Sequence, residues 1–345
     1  MTATTSPVGA GGQPPSPAAI IDAAFSYQRT FALKAAVDCD LFTAIGEGHS
    51  TVADIARARG IAERGARIVC DYLTTLGFLT KDGSSYALAP DAAMFLDRRS
   101  PAYLGSVLEF LASPQSVGYA ERATEDVRAG GTRDAATTAP EHEFWPVFAR
   151  AMASFMSLPA MLAAQLADLD ENADAKVLDI AAGHGEFGFA VARRYPKARI
   201  VALDWKPVLV VTAERAKEAG LAERFEVVAG DAFDVDFGAG YDLVLVPNFL
   251  HHFNEATNVT FLRKVAAALK PQGQVVIVEF VPNEDRITPP IAARFAFTML
   301  TNTQEGDAYT RAELERMLAA AGFEESEERP LLPTPQTAIA ARKKS

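Results

Sequence analysis

From about residue 174 onward, short runs rich in Val, Ile and Leu alternate with segments of helical periodicity. A helical crossover normally joins two parallel strands, so this alternation predicts an α/β domain with a mostly parallel, Rossmann-like sheet. The predicted strands are 176–182, 199–205, 224–230, 242–248 and 274–281. The predicted helices are 186–194, 206–219, 256–270 and 310–321, and an antiparallel edge hairpin is expected from residue 323 onward.

The N-terminal part of the chain has a different pattern. Residues 18–45 have apolar side chains at three- and four-residue steps over most of a helical surface, so this helix pair needs partners on two sides. Residues 51–88 then predict two helices followed by a hairpin at Asp82-Gly83, which is the order of a winged helix-turn-helix. This pattern predicts a mainly helical N-terminal domain.

Three further segments complete the expected organisation. Residues 1–17 consist of small residues, Gly and Pro, and are expected to be a disordered tail. Residues 128–142 resemble a surface loop, and the helical stretch from Phe144 to Ala167 is expected to break or kink near Pro159. The predicted divisions are 1–17 for the tail, 18–142 for the winged-helix domain and 143–345 for the catalytic domain.

The charge balance argues against an extended nucleic-acid surface. The 345 residues include 44 acidic and 33 basic side chains, which gives a net charge of −11. Cys39 and Cys70 are the only cysteines, too few for a disulfide framework. No run of 18 apolar residues occurs, and the first basic residue is Arg29, so we expect neither a membrane span nor a signal peptide. These observations favour a cytoplasmic protein without nucleic-acid or membrane partners.

The predicted strands end in residues that can bind a nucleoside. Asp179 precedes a loop whose Gly183, Gly185 and Gly188 let a ligand approach the backbone at a helix N-terminus. With Asp204 at the end of the second strand, this spacing also fits the fingerprint of dinucleotide-binding proteins. The glycine pattern alone therefore leaves a nicotinamide-dependent oxidoreductase open.

Two later strand ends favour a different cofactor. The third predicted strand is followed by Asp231 and Phe233, an acid and an aromatic ring suited to an adenine. The fourth is followed by His251 and His252, which bring imidazoles to the same edge of the sheet. Because the carboxyl ends of parallel strands meet at one edge, these residues are expected to surround one ligand.

These strand ends resemble those of class I S-adenosylmethionine-dependent methyltransferases. The pattern is most similar to small-molecule O-methyltransferases, typified by plant caffeic acid O-methyltransferase and bacterial polyketide-tailoring enzymes, over residues 18–343. The resemblance implies S-adenosylmethionine as cofactor and a homodimer formed through the N-terminal domain. The cofactor contacts expected on this basis are Asp179, Gly183, Gly185, Asp204, Trp205, Asp231, Phe233 and Asn248.

The same resemblance implies the catalytic residues. His251 occupies the position of the general base, and His252 stands where an Asp is usual. Glu279 matches the acid that supports the base. A second supporting Glu is replaced by Ala308, so Asp307 or Glu305 would have to substitute for it.

The acceptor is expected to be a small, aromatic hydroxyl compound. Its pocket is expected to contain residues that could equally be ordinary core, namely Phe148, Met152, Met156, Phe297, Met299, Asn302 and His252. The alternatives are C- or N-methylation by the same fold, an NAD-dependent oxidoreductase, and a winged-helix regulator that senses a ligand. Adjacent histidines also permit a metal site, but two sequential residues rarely face one ion, so none is expected.

Overall fold

The computed structural model describes residues 15–133 and 142–345. Residues 1–14 of the predicted tail and 134–141 of the predicted loop lie outside the described residues. The chain forms two compact units, one ending at Gly105 and the other spanning Ser106–Ser345. The predicted boundary between the N-terminal domain and the catalytic domain lies later in the chain, between residues 142 and 143.

The first unit contains a helical core and one hairpin. The predicted helix pair forms, and so do the two helices and the hairpin of the predicted winged-helix order. Thr51 begins the first of those two helices, since its side chain accepts a hydrogen bond from the Asp54 N–H at 3.2 Å. Phe42, Ile55 and Leu73 are fully buried and form the centre of this unit. Its elements are α1 (Ala18–Asp38), α2 (Leu41–Gly46), α3 (Val52–Arg59), α4 (Glu63–Thr75), β1 (Leu79–Asp82), β2 (Ser85–Leu88) and α5 (Pro90–Phe95).

Helices lead from the first unit to the sheet of the second. They are α6 (Gly105–Leu111), α7 (Pro114–Glu121), α8 (Ala123–Ala129) and α9 (Phe144–Ala163). The helix does not break at Pro159, because α9 continues through it, and the alternative of a kink stays a prediction. Pro159 lies in the last turns of the helix and is buried, so packing offsets the one backbone hydrogen bond that it removes.

The second unit is built on a seven-stranded sheet with the order β5-β4-β3-β6-β7-β9-β8. Its strands are β3 (Lys176–Ile180), β4 (Arg199–Asp204), β5 (Phe225–Ala229), β6 (Tyr241–Pro247), β7 (Leu269–Glu279), β8 (Phe323–Pro330) and β9 (Thr337–Lys343). The pairs among β3 to β7 are parallel, whereas β8 and β9 form the predicted antiparallel edge hairpin. The mostly parallel α/β fold is therefore confirmed.

The order of the strands creates a crevice. From β3 the chain runs outward to β4 and β5, then returns to place β6 on the other side of β3. Ligands bind at such a reversal, outside the carboxyl ends of the strands. The intervening and following helices are α10 (Glu186–Arg194), α11 (Lys206–Glu218), α12 (Glu255–Ala268), α13 (Pro290–Asn302) and α14 (Arg311–Ala320).

Two helical features differ from the sequence expectation. Helix α13 was not predicted, although Pro290 occupies a first-turn position that proline favours. The segment Phe144–Leu166 is long and apolar enough to span a membrane, by length and composition only, and half of that window is buried within the protein. That burial is typical of a core helix.

Candidate active site

Asp179, at the end of β3, supports the glycine-containing segment that follows this strand. This carboxyl is completely buried, and its Oδ2 accepts a hydrogen bond from the Gly188 N–H at 2.9 Å. A Cβ on Gly188 would stand 2.9 Å from that oxygen, so only glycine allows the approach. Burial raises the pKa of Asp179 well above its ordinary value. Asp179 therefore supports the loop and does not line the cavity above it.

Gly185 has a similar structural role. Its φ of +81° suits the backbone at the start of α10, and an added Cβ would lie 2.5 Å from the ring of Phe189. Gly183 has a φ of +55° and does line the cavity. Of the residues on this loop assigned to the cofactor, Gly183 alone reaches the cavity.

Asp204, at the end of β4, faces the same loop. Its two carboxylate oxygens accept hydrogen bonds from the Gly183 N–H at 2.8 Å and the Trp205 N–H at 2.7 Å. Burial raises the pKa of Asp204 to about 6, against the opposing effect of these two donors. The carboxylate lines the cavity and can accept further hydrogen bonds there.

The loop after β5 presents an acid and a ring side by side. One oxygen of Asp231 accepts the Phe233 N–H at 2.8 Å, which leaves the other oxygen to accept from a ligand. The Lys264 ammonium, on α12, donates to the carbonyls of Ala232 and Phe233 at 2.9 and 2.8 Å. Lys264 therefore holds this loop in place from behind.

His251 lies in a short 3-10 turn after β6 and is bound to Glu279 at the end of β7. The distance between His251 Nδ1 and Glu279 Oε2 is 2.6 Å, and both side chains are buried. The other oxygen, Oε1, accepts the backbone N–H groups of Phe249, Leu250 and His251 at 3.1, 2.9 and 3.3 Å. Because a carboxylate can only accept, the proton of a neutral His251 resides on Nδ1 and Nε2 is the free acceptor.

The turn that carries His251 is also fixed by Asn258, which was not among the predicted site residues, and by the backbone of Asn248, which was. Asn258 is fully buried, and its Nδ2 donates to the carbonyls of Leu250 and Phe253 at 2.9 and 3.2 Å. Asn248 has a left-handed φ of +52° that turns the chain out of β6. These contacts orient His251, so its position does not depend on Glu279 alone.

His252 packs beside His251, with the two ring centroids 4.4 Å apart. Burial and the neighbouring His251 lower the pKa of His252 well below its ordinary value, so it stays neutral at physiological pH. The Trp145 ring meets it edge-on at 5.7 Å. His252 therefore contributes a neutral, flat wall beside His251.

A single carboxylate supports His251 in the described part of the chain. Ala308 is buried where a second acid was expected. Neither suggested substitute takes its place, because Asp307 pairs with Arg286 at 3.1 Å and Glu305 accepts from Asn254. Neither acid therefore provides the second carboxylate that the resemblance implies, because each is bound to a polar partner at the surface.

A cavity of about 660 Å³ brings most of the predicted site residues together. Phe297 is one of the predicted residues that line the cavity. Asp179, Gly185 and Glu279 are predicted residues that lie behind the cavity wall and do not line it. The other predicted residues that line it are Gly183, Asp204, Trp205, Asp231, Phe233, Asn248, His251, His252, Phe148, Met152, Met156, Met299 and Asn302.

Several cavity residues were missed by sequence reasoning. His184, inside the glycine loop, has the one available signal, a polar side chain between two glycines. Trp145, Arg294 and Phe295 reach the cavity from α9 and α13, and their spacing gave no such signal. Among the described residues, no group of three or more His, Cys, Asp or Glu side chains could hold a metal ion.

Family models match both parts of the chain. An O-methyltransferase domain matches residues 127–324, which is more than half of the chain, and an O-methyltransferase dimerisation domain matches residues 21–98. The chain belongs to the O-methyltransferase family. Membership in this family favours a methyltransferase over an NAD-dependent oxidoreductase. It also confirms the family resemblance of the strand ends.

Individual proteins agree with the family. The chain is 29% identical to the 3-hydroxy-5-methyl-1-naphthoate 3-O-methyltransferase of Streptomyces sahachiroi, over 91% of this chain and 92% of that protein. A structure described as an O-methyltransferase from Nostoc punctiforme has a TM-score of 0.91 and 47% identity, over 96% and 100% of the two chains.

A more distant solved structure has the same fold. Human N-acetylserotonin methyltransferase in complex with S-adenosylmethionine has the same fold, with a TM-score of 0.82 and 20% identity over 98% of this chain and all of that one. S-adenosylmethionine is the cofactor of the O-methyltransferase family to which the chain belongs, as the resemblance of the strand ends implies. The protein is an S-adenosylmethionine-dependent O-methyltransferase.

Because the pKa of Asp179 is raised by burial, this carboxyl should make the stability of the protein depend on pH. A carboxyl whose pKa is raised on folding stabilises the protein below its unfolded pKa of 3.8, and that contribution is lost as pH rises toward the folded pKa. We therefore expect the unfolding free energy of the wild type, relative to Asp179→Asn, to fall steadily between pH 4 and pH 7. Urea unfolding of both proteins across that range measures the difference. A difference that rises with pH would show that Asp179 is ionised and stabilising in the folded protein.

Proposed function

We propose that this protein transfers a methyl group to the hydroxyl of a small aromatic compound, with His251 as general base. The observation that carries the proposal is the 2.6 Å contact between His251 Nδ1 and Glu279, which leaves Nε2 as a free proton acceptor on a cavity-lining residue. Family membership supports the reaction, and the naphthoate-methylating relative supports an aromatic acceptor.

The residues around the crevice suit S-adenosylmethionine. Asp204 and Asp231 provide acceptors for ribose hydroxyls and an adenine amine, and Trp205 and Phe233 provide flat surfaces for the purine. Asn248 also lines the cavity, and its Oδ1 has no hydrogen-bond partner among residues 15–133 and 142–345, so it is one more candidate acceptor. When bound, S-adenosylmethionine supplies a methyl group that its sulfonium has already activated.

With the methyl group activated, the protein has two tasks: to align the acceptor oxygen and to remove its proton. Nε2 of His251 accepts that proton, and the carboxylate of Glu279 stabilises the imidazolium that forms. Positioning supplies a further part of the rate, because an aligned pair of reactants does not lose freedom again at the transition state. His252, which stays neutral, adds no competing charge next to the imidazolium.

We predict that His251→Ala lowers turnover by about a hundredfold or more, the low end of general-base effects, while the affinity for S-adenosylhomocysteine stays within about twofold. Glu279→Gln should also lower turnover. Rates measured with saturating cofactor, together with calorimetric titration of S-adenosylhomocysteine, test both. If His252→Ala lowers turnover more than His251→Ala does, the base is assigned to the wrong imidazole.

We further propose that His184 binds the carboxylate of the methionine portion of the cofactor. Its Nδ1 accepts the Glu186 N–H at 3.1 Å, so its proton resides on Nε2. Burial and the nearby Arg215 lower the pKa of His184 to about 3, which keeps the ring neutral. The ring lines the cavity, and its Nε2–H has no partner among the described residues.

This role predicts a selective loss of affinity. His184→Phe should weaken binding of S-adenosylhomocysteine by about tenfold or more, the cost of a hydrogen bond to a charged group, because the donor is gone. Binding of 5′-methylthioadenosine, which lacks the amino-acid portion, should change by less than about twofold. Calorimetry with both ligands compares them. An equal loss for both would mean that His184 only shapes the loop.

We also propose that the protein works in the cytoplasm as a homodimer that assembles through α1. Ile20, Ile21, Phe25, Tyr27 and Phe31 are all exposed on this helix, an apolar surface that is typical of an association site. The matched dimerisation domain includes this helix. Both cysteines are free thiols, consistent with a reducing compartment.

The double variant Ile21→Asp and Phe25→Asp is expected to be monomeric, because charges in an apolar interface would have to be desolvated. Light scattering coupled to gel filtration measures the mass directly. Ser26→Asp, an exposed position on the same helix, serves as the control for added charge and should remain dimeric. A dimer that survives the double substitution would assign the interface elsewhere.

A further inference from the structure

Arg294 is the only lysine or arginine among the described residues that line the cavity. It lies on α13 in a row of cavity-lining residues, with Ile291 one turn before it and Thr298 one turn after it. Its guanidinium has no hydrogen bond or ion pair within the described part of the chain. Arg294 is an exposed residue at the cavity, so its guanidinium is available to a ligand.

The neighbour of Arg294 in the chain contacts the proposed base. The ring of Phe295 meets the imidazole of His251 edge-on at 4.8 Å and stacks on Phe280 at 3.9 Å. The backbone that fixes Phe295 against His251 therefore also fixes the starting point of the Arg294 side chain. Because His251 and Arg294 line the same cavity, an acceptor whose hydroxyl faces His251 can extend toward α13.

The remaining charges indicate which ligand group Arg294 would bind. Asp204 and Asp231 line the cavity at the strand ends, and the whole chain carries a net charge of −11, so an anionic compound is favoured only where a cation offsets these negative charges. A guanidinium presents a planar pair of donors that matches a carboxylate, and such pairs are stronger than neutral hydrogen bonds.

We propose that Arg294 binds a carboxylate on the methyl acceptor, so that the preferred substrates are aromatic hydroxy acids. This inference rests on the proposed function and specifies its substrate class. Arg294 binds and orients the ring that carries the hydroxyl, while proton removal remains with His251. The hydroxyl and the carboxylate then stand on separate parts of one aromatic frame, one facing His251 and the other facing α13.

The experiment compares acids with their own methyl esters, which differ in charge but retain the ring and the hydroxyl. Hydroxybenzoates and hydroxynaphthoates, each with its ester, are titrated into the full-length protein saturated with S-adenosylhomocysteine, and methyl transfer is measured in parallel. We expect at least one acid to bind about tenfold or more tightly than its ester, the strength of a charge-assisted pair. If no acid binds more tightly than its ester, the inference is overturned.

Substitutions test whether Arg294 causes the preference for the acid over its ester. Arg294→Gln should reduce the preference for the acid to about one by weakening the acid alone, and Arg294→Lys should restore part of it, since lysine keeps the charge without the planar fork. Arg199→Gln removes an exposed arginine at the start of β4, away from the cavity, and should retain the full preference. An unchanged preference in Arg294→Gln would contradict the assignment.

One control distinguishes Arg294 from a cofactor ligand. Affinity for S-adenosylhomocysteine should be the same in Arg294→Gln and the wild type; an equal loss for cofactor and acid would assign Arg294 to the carboxylate of the cofactor and overturn the inference. Failure of the proposed function would look different. It would leave S-adenosylhomocysteine unbound, or leave every hydroxyl compound unmethylated, whatever residue stands at position 294.

Discussion

The bond between His251 and Glu279 is the interaction on which the site depends. It joins the ends of two adjacent parallel strands, and one carboxylate satisfies both the imidazole and three backbone N–H groups of the turn that carries it. A buried carboxylate is tolerated only when its oxygens are fully hydrogen-bonded. The charge that orients the base is thus also what holds its turn in place.

The rest of the second unit brings ligand-binding groups to the same edge. Parallel strands end together, so Asp204, Asp231 and His251 converge although they are far apart in the chain. Behind them, Asp179 and Lys264 bind backbone groups of the loops and never reach the cavity. The site therefore has an inner layer that contacts ligand and an outer layer that fixes the loops.

The sequence predicts the strands and their polar ends well, because burial on both faces of a parallel sheet leaves a simple apolar signal. The sequence could not show which of Asp179 and Asp204 lines the cavity, because both are acids at strand ends. Only the folded structure shows that Asp204 lines it and Asp179 does not. Helix α13 was missed, and with it Arg294 and Phe295, because a helix that lines a cavity has no single apolar face. At Pro159 the sequence predicts a break or a kink, and the helix is continuous there because Pro159 is buried near its C-terminal end.

Catalysis by His251 requires that its Nδ1–H be donated to Glu279, which leaves Nε2 as the proton acceptor. Nitrogen-15 NMR of the histidine side chains, with S-adenosylhomocysteine bound and with His251→Gln used for assignment, reads the tautomer directly. We expect a protonated Nδ1 and a bare Nε2 for His251. A signal from the opposite tautomer, with Nε2 protonated, would contradict this expectation.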